Sequence, residues 1–210
     1  MVRLLEGYKT ISNICSAETE VKHSRFIATV CPCKTEREAT EFIAAMRKKY
    51  WDAKHNVYAF SIRENSTKRF SDDGEPHSTA GLPVMEVVNH SGITDIAVVV
   101  TRYFGGILLG TGGLVRAYSE AARLALEKAD VITILPAKSF EIKCDYSDYD
   151  PLLKLLDEFD TKILSTDFSN NILLNVAVKS ELYNDLELKC TDKFCARINF
   201  LEQKEIFMGF

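Results

Sequence analysis

The chain has 210 residues, 46% of them hydrophobic and 27% charged, with a net charge of −4. That composition supports a packed core and disfavours a disordered chain. No apolar run approaches the ~20 residues a spanning helix needs, and the opening Met-Val-Arg-Leu-Leu-Glu-Gly-Tyr lacks the apolar stretch of a secretory signal, so a cytoplasmic protein without membrane association is expected. Residues 1–130 hold 17 Lys/Arg against 16 Asp/Glu (+1), and residues 131–210 hold 9 against 14 (−5). A basic nucleic-acid footprint in bulk is thereby excluded; any such surface is a local patch on the first part.

In chain order, Val21–Val30 reads as a strand, with Lys22, Ser24 and Phe26 on one face and His23 and Arg25 on the other. Thr35-x-x-Glu38 is a capping box that opens a helix carrying Ala39, Phe42, Ile43, Met46 and Tyr50 on one side. Arg47-Lys48-Lys49 closes it, where cations suit the helix dipole. Asn56–Ile62 is strand-like, and His55 stands just before it, where other polar residues gather. Thr79–Val88 reads as a short helix with Pro83 in its first turns and Asn89-His90-Ser91-Gly92 after it. Ile96–Val100 is too uniformly apolar for a half-exposed strand and is expected at the centre of a sheet. Leu114–Lys128 is an amphipathic helix, with Leu114, Ala117, Tyr118, Ala121 and Ala125 on its apolar side.

A joint at Leu135-Pro136-Ala137-Lys138 divides the chain into domains 1–135 and 136–210. Beyond it the pattern is βαββαβ. Phe140, Ile142, Cys144 and Tyr146 alternate as a half-buried strand; Asp150-Pro151 supplies N-cap and N1 of a helix; Ile163–Phe168 and Ile172–Val178 flank an Asn-Asn hairpin turn; Ser180 caps a second helix; and a last strand runs from Ile198 toward Met208. The fold class expected is α+β, with an N-terminal α/β domain and a C-terminal ferredoxin-like βαββαβ domain.

Eight of the ten glycines fall between Gly74 and Gly113. In the 102–116 stretch a buried strand ends, a loop with Gly105, Gly106, Gly110, Gly112 and Gly113 follows, and a helix begins. Glycines allow close approach of backbone amides to an anion, and a helix N-terminus adds unpaired N–H donors. Thr111 offers a hydroxyl; Arg102, Arg116 and Lys22 offer charge. The natural ligand is a phosphate or a nucleic-acid backbone, RNA or the ribosome. The competing reading is a tight structural turn, with Arg116 pairing Glu120 at i,i+4. Gly105-x4-Gly110 lacks the Walker lysine, and Gly110-Thr-Gly112-Gly-Leu-Val115 fails the dinucleotide pattern.

Ser71-Asp72-Asp73-Gly74-Glu75-Pro76-His77-Ser78-Thr79 gathers carboxylates, a histidine and hydroxyls in one loop. It reads first as a structural or recognition turn. The enzymatic alternative makes Glu75 and His77 an acid–base pair acting on a phosphorylated or nucleotide substrate. A divalent-ion site of Asp72, Asp73, Glu75 and His77 matches neither an EF-hand nor HExxH. No nucleophile elbow is present. The six cysteines form no CxxC pair and read as reduced thiols. No metal and no cofactor are implied.

Lys22-x-Ser24-x-Phe26, Asp72-Asp73-Gly74-Glu75-Pro76-x-x-Thr79-Ala80-Gly81-x-Pro83, Val100-Thr101-Arg102-Tyr103-Phe104-Gly105-Gly106 and Leu109-Gly110-x-Gly112-Gly113-Leu114-x-Arg116-Ala117-Tyr118 together resemble the signature of the IMPACT family, in its bacterial YigZ-type two-domain branch. The resemblance implies an N-terminal domain of the type shared by a small-subunit ribosomal protein and RNase PH. It also implies a C-terminal domain similar to the last domain of elongation factor G. Eukaryotic relatives regulate translation and carry an additional N-terminal RWD domain; the first motif here opens at Lys22, so that domain is not expected. For the bacterial branch the resemblance implies a translation-associated regulatory factor that binds RNA or the ribosome. A protein partner for the acidic C-terminal domain is a further expectation.

Overall fold

A computed structural model describes residues 7–195 and 197–210. They form a mixed α+β protein with two antiparallel sheets and five α-helices. The described chain divides into two compact units, Tyr8–Ile132 and Thr133–Phe210, the latter joined by Gly7.

The N-terminal unit begins with β1 (Tyr8–Ile11), β2 (Cys15–Val21) and β3 (Ser24–Pro32). The single strand expected over 21–30 is therefore broken at its start. Lys22 (φ 48°) and His23 (φ 63°) are both left-handed and form a two-residue hairpin turn, with Val21 opposite Ser24. Then come α1 (Glu36–Lys49), β4 (His55–Ile62), β5 (Thr67–Ser71), α2 (Gly81–Ser91), β6 (Ile96–Tyr103) and α3 (Thr111–Lys128). The Thr35 side chain accepts from Glu38 N (3.2 Å), as the capping box requires. Gly92, left-handed at φ 69°, ends α2.

The sheet runs β2-β3-β6-β4-β5. β6 is its middle strand, and both of its faces are covered. Ala97 and Val99 pack with Phe60 and with Phe42 and Ile43 of α1, whereas Ile96, Val98 and Val100 pack with Phe26, Val57 and the apolar sides of α2 and α3. Covering on both sides is the reason this strand shows no polar alternation.

The C-terminal unit contains most of β7 (Val131–Cys144), then α4 (Tyr146–Glu158), β8 (Lys162–Phe168), β9 (Ile172–Lys179), α5 (Tyr183–Phe194) and β10 (Asn199–Gly209). The strand order β10-β7-β9-β8, antiparallel throughout, is that of a split βαβ arrangement. Pro136, expected at the joint, lies inside β7, opposite Phe207, because a proline's φ suits an extended chain where the ladder does not need its N–H; the two units divide just before it, between Ile132 and Thr133. Two local expectations fail. Pro151 is not N1 of α4 but sits within it, since the helix starts a turn earlier at Tyr146 and the buried Asp148 is held there by Arg197 (2.9 Å). Ser180 caps nothing; it opens a short 3-10 turn ahead of α5. Among the described residues no helix is long and apolar enough to cross a membrane.

Candidate functional site

The polar residues of the N-terminal unit converge where β6 ends. Arg102 faces Phe26 across one ladder and His55 across the other. Its guanidinium lies 5.4 Å from the Phe26 ring centre and 5.5 Å from that of Phe104. Arg102 Nη1 donates to Glu75 Oε1 (2.6 Å), and Tyr118 Oη of α3 donates to the same oxygen (2.8 Å). The side chains of Glu75 and Arg102 are only 4% and 7% exposed. His55 Nε2 stands 3.8 Å from Glu75 Oε1. Its Nδ1 is 2.8 Å from the Asp73 carbonyl, which only accepts, so Nδ1 carries a proton. Burial first, and then the charge of Glu75, push the Tyr118 phenol up, keeping it a neutral donor. Ser24 Oγ accepts from Gly105 N (3.2 Å) and lies 3.4 Å from Arg102 Nη2. Arg102 Nε is the one buried side-chain nitrogen or oxygen among the described residues without a hydrogen-bond partner.

The loop that delivers Glu75 is built by its own carboxylates. Asp72 accepts from the backbone N–H groups of Ser78 (2.9 Å), Ala80 (3.0 Å) and Gly81 (2.8 Å), the last two at the start of α2. Asp73 takes Asn56 N (2.7 Å) and Arg47 Nη2 (2.6 Å). Both carboxylates are thus spent on structure. Burial alone raises the Asp72 carboxyl, but the three amides outweigh it and hold it below the usual range. The stability it supplies is present above the ordinary carboxylate value near 4 and is lost as pH falls through the lower folded value. Asp72→Ala is expected to cost about 2–4 kcal/mol at neutral pH by orphaning three amides, and less at pH 3. Urea denaturation at the two pH values measures the difference.

Above this network lies a cleft of about 480 Å³, bounded by Lys54 and His55, the 74–76 turn, the 104–110 loop and the first turn of α3. Gly110 precedes α3 at φ 72°, ψ 167°, a region that only glycine populates readily, and no side chain caps the helix. Leu114 N bonds back to Gly110 O (3.0 Å), leaving the amides of Thr111, Gly112 and Gly113 without an intrahelical partner; of the three residues, Thr111 lines the cleft. Phe104 is 49% and Leu108 82% exposed on the loop.

The structure gathers only part of the sequence-derived set here. Glu75, Arg102, Gly110 and Thr111 line the cleft, and Gly105 is tied to its floor through Ser24. Gly112 and Gly113 lie in the first turn of α3. Gly106, at φ 86°, is in the loop. Lys22 is exposed in the hairpin turn whose next residue, His23, abuts Gly105. Arg102 is not the free cation expected, since Glu75 engages it. Arg116 is exposed and does not line the cleft; nor does it pair Glu120, which binds Arg123 instead. Glu75 and His77 occupy different surroundings: His77 is exposed and bonded to Ser78 Oγ (2.8 Å). The imidazole beside Glu75 is that of His55. Among the described residues no group of three or more His, Cys, Asp or Glu is arranged to hold a metal ion. Sequence reasoning missed Lys54, Phe104 and Leu108 as cleft residues and Ser24 and Tyr118 as its anchors. Ser24 and Tyr118 stand in the sequence motifs, and Phe104 does too, but none of these positions signals a place in the cleft by itself.

The model of the Impact N-terminal domain matches residues 22–126, which hold every one of these groups. The chain belongs to the IMPACT family. It is 35% identical over 176 residues to the IMPACT family member YigZ of Escherichia coli, covering 82% of this chain and 86% of that one. The IMPACT family member YvyE of Bacillus subtilis is 35% identical over 182 residues, covering 86% and 84%. A crystal structure of a hypothetical protein superposes with a TM-score of 0.62 at 32% identity, over 94% of this chain and 98% of that one.

Proposed function

We propose that this IMPACT family protein is a translation-associated regulatory factor that binds RNA at the β6 end of its N-terminal unit. The observation that carries the reading is the cleft itself: uncapped amides at the start of an 18-residue helix, beside the exposed Lys54 and under the half-exposed ring of Phe104. Helix amides and a lysine suit a phosphate, and an exposed aromatic face suits an unstacked base. Tyr103 Oη donates to Asp52 (2.8 Å), which brings the exposed Trp51 to the same end of the sheet. The link to translation rests on the family. So do the likeness of the first unit to ribosomal-protein and RNase PH domains, that of the second to the last domain of elongation factor G, and a cytoplasmic location. The acidic second unit is available for a protein partner.

The N-terminal part carries almost balanced charge, so affinity is expected to be moderate and salt-dependent. Lys54→Ala combined with Phe104→Ala is expected to weaken binding of a single-stranded RNA at least ~10-fold and to reduce the salt slope by about one. Filter binding across a salt series measures both. Unchanged affinity would overturn the reading. An enzymatic use of Glu75 with His77 gains no support, because the two do not meet: Glu75 is buried against Arg102, whereas His77 is exposed and turned to Ser78.

A further inference from the structure

Both donors to Glu75 converge on one oxygen. Arg102 Nη1 and Tyr118 Oη both reach Oε1, and His55 Nε2 is nearest that oxygen too. Oε2 receives no hydrogen bond from any described residue, and it is not among the fully enclosed unpaired atoms. Glu75 lines the cleft and its side chain is nearly buried, which leaves Oε2 as the Glu75 acceptor open to an occupant. Thr111, the first residue of α3, lines the same cleft, so one occupant can meet both Glu75 and the helix start. The volume, about 480 Å³, falls within the roughly 300–1,000 Å³ typical of small-ligand sites.

We propose that the cleft takes one nucleotide of an RNA strand, and that Glu75 Oε2 selects a base with an exocyclic amino group. The phosphate rests on the α3 amides near Lys54, the ring lies against Phe104, and the amine donates to Oε2, as a carboxylate accepts from the cytosine amine in base readout. Uracil presents a carbonyl where cytosine presents the amine. Two acceptors then face each other, and a nearly buried carboxylate oxygen goes unpaired. The inference rests on the RNA reading above and adds to it a base preference with a single residue as its origin.

Substitution of Glu75 by glutamine makes the sharper demand. The carbonyl oxygen of the new amide keeps Arg102 and Tyr118, so its NH₂ turns to the cleft, and a donor replaces the acceptor. The preference should then invert.

The test is fluorescence anisotropy at fixed salt, with the full chain and short oligo(C) and oligo(U) RNAs of equal length. The native protein is expected to bind oligo(C) about tenfold more tightly than oligo(U). Glu75→Gln is expected to bind oligo(U) the more tightly of the two. Equal affinity of the native protein for the two RNAs overturns the base preference and leaves the RNA reading standing. Binding of neither overturns both. An oligo(C) preference that persists unchanged in a folded Glu75→Gln protein overturns the assignment to Glu75. If that variant does not fold, the comparison of the two RNAs on the native protein still decides the preference.

Discussion

Arg102→Ala is expected to destabilise the N-terminal unit by about 3–5 kcal/mol, because it strands Glu75 as a buried charge without its partner. Glu75 is 4% exposed, and Tyr118, a neutral phenol, gives it only one hydrogen bond in place of a cation. The arginine also fills the space between the Phe26 and Phe104 rings, so truncation removes packing as well as charge. Removing both charges should cost less than removing one. Arg102→Met with Glu75→Gln is expected to be more stable than Arg102→Ala alone, and a double-mutant cycle measures the coupling. Hydrogen exchange of β6 amides is a suitable readout, since it reports this unit without requiring the whole chain to unfold in one step. A cost below about 1 kcal/mol would mean that the pair is solvated in the native state.

What the sequence discloses and what it hides follow from how local each feature is. The Ile96–Val100 run could be placed at a sheet centre because two covered faces erase the polar alternation, and α1 on one side with α2 and α3 on the other is the cover found. The α1 cap lies within four residues of chain, so it too was readable. The Lys22-His23 turn was not. Its two left-handed residues are a lysine and a histidine, whereas a two-residue hairpin usually announces itself with Asn-Gly. With the turn unseen, the strand expected over 21–30 runs straight through it, β2 goes unanticipated, and Ser24 reads as a strand-face residue and not as a hairpin corner. The site itself is assembled over long stretches of chain: Arg102 reaches Glu75 across 27 positions, Tyr118 reaches it across 43, and Ser24 lies 78 from Arg102. No periodicity carries that information. Tyr118 in particular reads as one more residue on the apolar side of a helix, because its ring is core while its hydroxyl is site.

Gly105→Ala is expected to cost about 3 kcal/mol or more, and Gly112→Ala to cost nothing. A Cβ on Gly105 would lie 2.0 Å from the His23 carbonyl carbon, 2.1 Å from its oxygen and 2.4 Å from Ser24 N. These are backbone atoms of the hairpin corner, and no rotamer relieves the clash. Displacing that corner also separates Ser24 Oγ from Gly105 N and Arg102, so the disturbance reaches Glu75. At Gly112 a Cβ meets nothing within 4 Å, and the residue is inside α3, where alanine is favoured over glycine by about 0.5–1 kcal/mol. Folding therefore requires the first glycine and not the second. Close approach of a ligand to the helix amides does give Gly112 a reason. Chemical denaturation and RNA titration of the two variants separate these causes. A Gly112→Ala protein as stable as the native one, or more so, with RNA affinity reduced several-fold, places the ligand on α3. One that binds RNA as well as the native protein removes the helix amides from the interface and leaves Lys54 and Phe104 to carry it.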